Sequence, residues 1–315
     1  MRLRHALPTL LILLLATPLA AQPAAPPVEN VTVTGARTRQ AIEGFVQSLA
    51  TPTRATDKIA RWQKDICPIA LGLKPGFLAF ITKRLKDVAA QVGAPVNNSP
   101  SCQKNIAIIF TTAPQALIDN VRKKTPGLLG YYDNQDQLDT LAKVRRPIQA
   151  WYTTATQDVA GQITVDSGRT AGMGLMLSVP CTLLYPGFAS GGICYFQPSG
   201  AHGAAVSGTR LGDGLRSGLY NVIIVVDPAK LADNEIGALA DYIAMLALAQ
   251  VKTQDTCQPL DSILNLLADG CPRPAALTAN DIGYLTALYK MSPESSIQVQ
   301  RNEMAYQMQH ALDGH

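Results

Sequence analysis

The stretch ALADYIAMLALAQV, residues 238–251, decides how the fold of this chain is interpreted. It is apolar around almost its whole helical surface, which is typical of a helix buried in a core. Asp241 is the one charged residue within it. Its carboxylate either faces solvent or points into a cleft, where it needs a polar partner or has a raised pKa. In both cases the sequence predicts a core helix over 236–250 whose buried positions are Ile236, Leu239, Ile243, Leu246 and Ala247.

Recognisable elements lie on either side of this helix. LYNVIIVVD, residues 219–227, is a continuous apolar run and predicts a strand buried on both faces. After the helix come SILN at 262–265 and ALTANDIGYLTALY at 276–289, in which Thr278 is a good helix N-cap. A last amphipathic helix spaces three apolar residues four positions apart, namely Met304, Met308 and Leu312.

The order of these parts resembles the carboxyl-terminal half of a zincin metalloprotease, specifically a metzincin. In that family a buried strand precedes a helix bearing HExxHxxGxxH, and a turn of the form SIMN follows. Several members continue with an LTxxDxxxLxxLY helix. Residues 262–265 are similar to the turn, with Leu264 in the place of its Met, and 277–289 are similar to the later helix. The resemblance covers about residues 219–290 and implies an α+β fold, a mixed sheet packed with several helices and a zincin-like carboxyl-terminal half.

The chemistry of that family does not carry over to this chain. Zinc needs two imidazoles one helical turn apart, and a carboxylate beside the first that takes a proton from the bound water. No histidine lies between His202 and His310. The resemblance therefore implies an emptied site with no metal, no cofactor and no catalytic residue. From the first histidine of the motif to the third, its positions hold Asp241, Tyr242, Met245, Leu248 and Val251.

A cleft can outlive the metal, since zincin clefts bind extended peptides beside an edge strand. The expected function is therefore that of an exported, non-catalytic envelope protein that binds a protein or peptide. Two other functions stay open: a divergent secreted hydrolase using Asp241 or His202, and an accessory of an outer-membrane complex. No GxSxG elbow accompanies His202, which favours a surface loop for that residue. The candidate cleft consists of Asp241, Tyr242, Met245, Ser262, Asn265 and His202.

The predicted organisation is a signal peptide over 1–21, a leader with a strand and a helix over 22–54, and the zincin-like domain over 55–315. VENVTVTGAR, residues 28–37, alternates Val with polar residues and predicts a short strand. The same stretch resembles the entry region of outer-membrane receptors, which is the basis of the accessory hypothesis. Helices are predicted over 38–49 and 55–65, followed by a loop over 66–76.

The middle of the chain alternates between helix and strand patterns. Strands are predicted over 104–111 and 147–156, and helices over 114–124 and 135–144. A Gly- and Ser-rich insertion over about 160–218, with a hairpin near Cys181 and Cys194, indicates a surface or binding role. A further helix beginning at Pro75 carries its apolar residues on one side, namely Phe77, Phe80, Ile81, Leu85, Val88 and Val92.

The amino terminus predicts export through a Sec-type signal peptide. Arg2, Arg4 and His5 precede a nearly continuous aliphatic run, and small residues lead to a cut after Ala21. That run is too short to span a bilayer stably, and no later stretch reaches about 18 uninterrupted apolar residues. The mature chain is therefore expected in the periplasm or outside the cell, with no transmembrane segment.

Six cysteines in an exported chain indicate three disulfides, although sequence alone leaves fifteen pairings open. Spacing favours the neighbours Cys67–Cys102, Cys181–Cys194 and Cys257–Cys271. With 27 Lys and Arg against 23 Asp and Glu, the chain has no broad field to attract nucleic acid, and no nucleic-acid partner is expected. The basic runs VRKK (121–124) and KVRRP (143–147) are interpreted as solvated helix ends.

Overall fold

The structure is a computed structural model and describes residues 28–166, 177–180, 193–196, 213–251 and 256–313. The chain divides into two units, Met1–Arg37 and Thr38–His315. The described part of the first unit, residues 28–37, is helical. All packing discussed below belongs to the second unit.

The second unit is an α+β domain built on a mixed sheet, as predicted. Six of the described strands form one sheet in the order β2-β3-β8-β4-β5, with β1 pairing with β8 as well. The strands β1, β2 and β3 run parallel to β8 or to one another, whereas β4 is antiparallel to both β8 and β5. The strands are β1 (Arg61–Trp62), β2 (Pro68–Leu71), β3 (Ile106–Phe110), β4 (Ile148–Gln157), β5 (Ile163–Asp166), β6 (Leu177–Pro180), β7 (Ile193–Phe196) and β8 (Arg216–Val226).

Helices pack against this sheet, and short 3-10 turns connect some of them. The turns cover Pro126–Leu129, Pro228–Lys230 and Ile263–Leu267. The described helices are α1 (Val28–Leu49), α2 (Pro75–Gln91), α3 (Pro114–Lys124), α4 (Gln135–Leu141), α5 (Ile236–Leu248), α6 (Ala279–Lys290) and α7 (Ile297–Asp313).

Strand β8 separates two hydrophobic cores. Val222, Ile224 and Val226 belong to the larger core, which also contains the buried residues of α1, α2 and α5. Ile223 and Val225 point to the opposite face, where α3, the turn 126–129 and α4 cover them. The continuous apolar run at 219–227 is therefore the pattern of a strand covered on both faces, as predicted.

Helix α5 is the buried central helix that the sequence predicts. Every residue from Ala238 to Leu248 is buried, and Ile236 packs against the same core with partial exposure. Three aromatic side chains donate hydrogen bonds to the carbonyls at its carboxyl end: Trp62 Nε1 to Ala247 (2.8 Å), Tyr152 OH to Leu246 (2.9 Å) and Tyr289 OH to Leu248 (2.9 Å). Because such terminal carbonyls have no partner within a helix, these donors allow the end of α5 to be buried.

The prediction of a strand over 28–37 is wrong. These residues form the first turns of α1, whose later part buries Ile42, Phe45, Val46 and Leu49. Extending a helix that is already nucleated requires far less free energy than starting one. Packing of the second half of α1 therefore outweighs the weak alternation of Val and Thr in the first half.

Two neighbouring predictions are also wrong. The helix predicted over 55–65 is a turn followed by β1, and Asp57 takes a left-handed conformation (φ 54°) in that turn. Trp62 is thereby buried against α5, which a surface helix would not allow. The loop predicted over 66–76 contains β2, whose parallel pairing with β3 is a long-range contact without a local signal.

Helix α2 begins at Pro75 as predicted, but its apolar face is narrower than expected. Ile81, Leu85, Val88 and Val92 are buried, whereas Phe77 and Phe80 are 48% and 44% exposed. The remaining predicted strands and helices are present, with α4 ending at Leu141 rather than 144. Met304 and Met308 of α7 are buried, and Leu312 is partly buried.

Two of the three predicted disulfides are present. Cys67–Cys102 and Cys257–Cys271 have Cα–Cα distances of 6.0 and 5.5 Å, within the range of bridged cysteines. The predicted hairpin in the insertion matches the antiparallel pairing of β6 with β7, where Val179 lies opposite Cys194. Cys181 lies outside the described residues.

The third bridge, Cys181–Cys194, stays a prediction. Peptide mapping of the oxidised protein without reductant should recover a linked pair of peptides containing these two cysteines. Each of the three loops should contribute about 3 kcal/mol to the free energy of unfolding in the chain-entropy model. Recovery of either cysteine as an alkylated free thiol would contradict the sequential pairing.

A buried carboxylate joins β5 to β4 and makes the stability of the protein depend on pH. Asp166 accepts hydrogen bonds from Thr154 Oγ1 (2.7 Å) and Thr156 Oγ1 (2.8 Å). Burial raises the pKa of its carboxyl above the ordinary value, despite these bonds. The folded state therefore holds the proton more tightly than the unfolded state, so ionisation of Asp166 lowers the free energy of unfolding as pH rises through this pKa.

Replacing Asp166 by Asn should weaken this pH dependence. Both hydroxyl partners can rotate to accept a hydrogen bond from the amide, so D166N should fold and lack the titrating group. Urea unfolding between about pH 4 and pH 7 should show a smaller loss of stability with rising pH than in the wild type. D119N, at an exposed carboxylate, is the matched control and should keep the wild-type slope. An unchanged slope in D166N would show that Asp166 is not the group responsible.

Candidate functional site

The candidate cleft of the sequence analysis lies within the core. Asp241, Tyr242, Met245, Ser262 and Asn265 are all at most 2% exposed. None of them lines the groove described below. His202 lies outside the described residues. These five residues therefore belong to the interior of the domain rather than to an open surface.

Asp241 does not face solvent, which corrects one of the two interpretations of α5. Its carboxylate accepts hydrogen bonds from Arg84 Nε at 2.5 Å and Arg84 Nη2 at 3.1 Å, a two-point contact from α2. It also accepts the backbone N–H of Leu277 at 2.8 Å. The hydrogen bond to Asp241 raises the pKa of the Arg84 guanidinium. One buried carboxylate thus joins α2, α5 and the segment that enters α6.

The SILN turn is joined to α6 by a second buried carboxylate. Asp281 accepts hydrogen bonds from Ser262 Oγ (2.5 Å), Ile263 N (2.8 Å) and the Thr278 backbone N (2.9 Å). Thr278 in turn accepts the N–H of Asp281, so the predicted N-cap is part of a capping box. Burial raises the pKa of the Asp281 carboxyl. Asn265 Oδ1 accepts the N–H of Gln258 (2.9 Å), so the polar residues of the turn serve folding.

Asp241→Ala should destabilise the fold rather than leave it intact. The change removes the acceptor of the Leu277 N–H and the partner of Arg84, whose side chain is 36% exposed. Urea unfolding should show a loss of about 2–4 kcal/mol. The control is Asp87→Ala, which breaks the exposed Lys83–Asp87 pair on the same helix as Arg84 and should cost at most about 0.5 kcal/mol. Equal stability of the two variants would contradict a structural role for Asp241.

A groove on another part of the domain has the features of a binding site. It has a volume of about 650 Å³ and runs along β4. Its walls are the loop 51–54, residues 129–131, helix α4 and the loop 143–146, and Gln250 lies at one side. We call it the β4 groove. Its volume falls in the range of ligand-binding clefts.

The β4 groove contains an edge of the sheet with which no described strand pairs. On that side of β4, β5 pairs with residues 154–157, and no described strand pairs with 148–153. The backbone N–H of Asp227 donates to Pro147 O (2.8 Å). Together with the register, this bond shows which residues of β4 form hydrogen bonds with β8 and which point away from it. In this register Gln149 and Trp151 bond to β8, so the N–H and C=O groups of Ala150 and Tyr152 point toward the groove.

Gly130 lies directly beside the edge of β4 at Tyr152. A Cβ at position 130 would lie 2.9 Å from Tyr152 O, and the residue has a φ of 111°. Both facts require glycine there, because a side chain would push residues 129–131 away from β4. The Tyr152 carbonyl is therefore covered, and the accessible part of the edge centres on Ala150.

The charge of the β4 groove is predominantly positive. Arg54, Lys143, Arg145 and Arg146 line it, with Asp136 as the acidic residue of the lining. Arg54 is also 2.9 Å from Gln137 Oε1 and 3.8 Å from Asp133 across the wall. Lys143 and Arg145 are exposed. A ligand with negative groups is therefore favoured at this edge.

The sequence analysis did not identify this site. The run KVRRP, residues 143–147, had the pattern of a solvated helix end, but in the structure it directly precedes β4. The signal that could have found it is a basic run before a strand in a chain that otherwise has few charges. The groove also needs residues 51–54, 134–141 and 250, and their proximity follows from the topology of the sheet.

Among the described residues there is neither a cluster of metal ligands nor a membrane-spanning helix. Within 28–166, 177–180, 193–196, 213–251 and 256–313, no three His, Cys, Asp or Glu side chains form a group that could hold a metal ion. No helix in these ranges is long and apolar enough to cross a membrane. Comparison of the chain with protein-family models, curated proteins and solved structures found no significant match.

Proposed function

We propose that this chain is an exported, non-catalytic binding protein that holds an extended segment of another protein along the β4 edge. The observation that carries the proposal is the stretch 148–153, which lies inside a groove on the side of β4 where no described strand pairs with it. An extended peptide can add a strand to such an edge, because its backbone supplies the missing hydrogen-bond partners. The groove walls then contact side chains on the two faces of the added strand.

The two described disulfides are consistent with a compartment outside the cytoplasm. The signal-peptide pattern of residues 1–21 supports the finer proposal of a periplasmic or secreted protein. In that compartment the partner would be an envelope protein or a secreted peptide.

A zincin-like ancestry stays a proposal as well. It is supported by the succession of strand β8, helix α5, the SILN turn and the capped helix α6. If it is correct, the position of the first zinc ligand now holds Asp241 in its ion pair with Arg84, and Met245 is packed in the core. The relic site would then be filled, and binding would use the sheet edge.

A proline at position 150 should abolish peptide binding. Ala150→Pro removes an N–H that points into the groove while leaving the bonds to β8 in place, and proline is tolerated at strand edges. Peptides selected on the wild-type protein from a displayed library of random decapeptides should lose at least about tenfold in affinity for A150P, measured by fluorescence anisotropy.

Ala150→Thr is the matched control for this experiment, since it keeps the N–H and suits a strand. Thermal melts should first show that both variants fold. Binding should persist in A150T. Selected peptides that bind A150P as tightly as the wild type, or a library that yields no binder, would overturn the proposal.

A further inference from the structure

We infer that the preferred occupant of the β4 groove is an acidic extended segment, with Glu or Asp at alternate positions. This inference rests on the proposed function and adds the class of ligand. Backbone hydrogen bonds to an edge are independent of sequence, so the preference must come from the groove walls. The observation that carries it is the excess of four basic side chains over one carboxylate in those walls.

The cations lie where side chains of an added strand would reach them. Residues 143–146 immediately precede β4, so Lys143 and Arg145 stand at the entrance of the edge. Both are exposed and, within the described residues, form no ion pair with a carboxylate. Arg54 lines the groove from the loop 51–54 and is 3.8 Å from the Asp133 carboxylate.

The geometry of a strand explains the alternate spacing. Successive side chains of an added strand point to opposite faces of the sheet, so every second residue meets the same wall. The open edge of about four residues, 148–151, spans roughly 14 Å at about 3.4 Å per residue. A segment of this length presents two side chains to each wall, enough to place carboxylates beside Lys143 and Arg145.

The backbone groups of the edge favour a peptide over a simple anion. The backbone C=O of Ala150 points toward the groove, and no described strand pairs with it. An acceptor without a partner needs a donor, which a peptide N–H can supply and a carboxylate or phosphate oxygen cannot. The outward N–H of Ala150 needs an acceptor in addition. A ligand that alternates donors and acceptors meets both needs.

The test compares three labelled octapeptides with blocked ends, in which Thr alternates with Glu, Gln or Lys. In 20 mM salt, the Glu peptide should bind the wild-type protein at least about tenfold more tightly than the Gln peptide, and the Lys peptide should bind least. The advantage of Glu over Gln should shrink several-fold in about 300 mM salt, because the charges are exposed and screened.

Charge variants locate the preference. Lys143→Glu and Arg145→Glu should each reduce the advantage of the Glu peptide over the Gln peptide by at least about fivefold. Lys123→Glu makes the same change of net charge at an exposed position of helix α3, outside the groove. This variant should leave the advantage of the Glu peptide over the Gln peptide unchanged. A150P should weaken the Glu and Gln peptides alike, since the edge bonds are common to both.

The outcomes separate the two proposals. Equal binding of Glu and Gln peptides, or an equal effect of K123E and R145E, overturns the acidic preference. The edge proposal stands in that case if library-selected peptides still lose affinity on A150P. Binding of the Glu peptide that A150P does not weaken, and that inorganic polyphosphate displaces equally well, would show a general anion patch and overturn the inference.

Discussion

The burial of helix α5 on all sides is the constraint on which the rest of the structure depends. A helix end in an apolar core must find partners for its last carbonyls, and a buried carboxylate must find donors. Trp62, Tyr152 and Tyr289 satisfy the carbonyls from β1, β4 and α6, and Arg84 satisfies Asp241 from α2. Four elements are therefore fixed around one helix by its polar groups, while apolar packing supplies the bulk of the stability.

Elements with a strong local pattern could be predicted from the sequence. Strand β8 and helix α5 are long and mostly apolar, and the Thr278 cap has a specific chemistry, so their positions follow from residues alone. Strand β2 and the two-residue β1 have no such pattern, because pairing with β3 and β8 decides their conformation. Asp241 illustrates the same limit, since its partner Arg84 is 157 positions away and on another helix.

The candidate site in the structure lies at the β4 groove, whereas the described residues singled out in the sequence are buried. Polar residues within or next to an apolar helix suggested a functional site in the sequence. In the structure these residues form hydrogen bonds that connect elements of the core. The β4 groove carries exposed cations, and Gly130 in its wall is required because a side chain there would collide with the Tyr152 carbonyl. Its backbone hydrogen-bonding groups correspond to no sequence motif. A site made from an edge and its neighbours is a property of topology, and it becomes visible once the strand order is known.

The β4–β5 hairpin has one further consequence for any strand that binds in the groove. Strand β5 occupies the outer side of β4 from Thr154 onward, with Asp166 opposite Thr154 as its last residue. A docked segment would therefore lie end to end with β5 in the same row of the sheet. Because β5 pairs with Thr154 to Gln157, the pairing of a docked segment with β4 would be confined to the residues before Thr154.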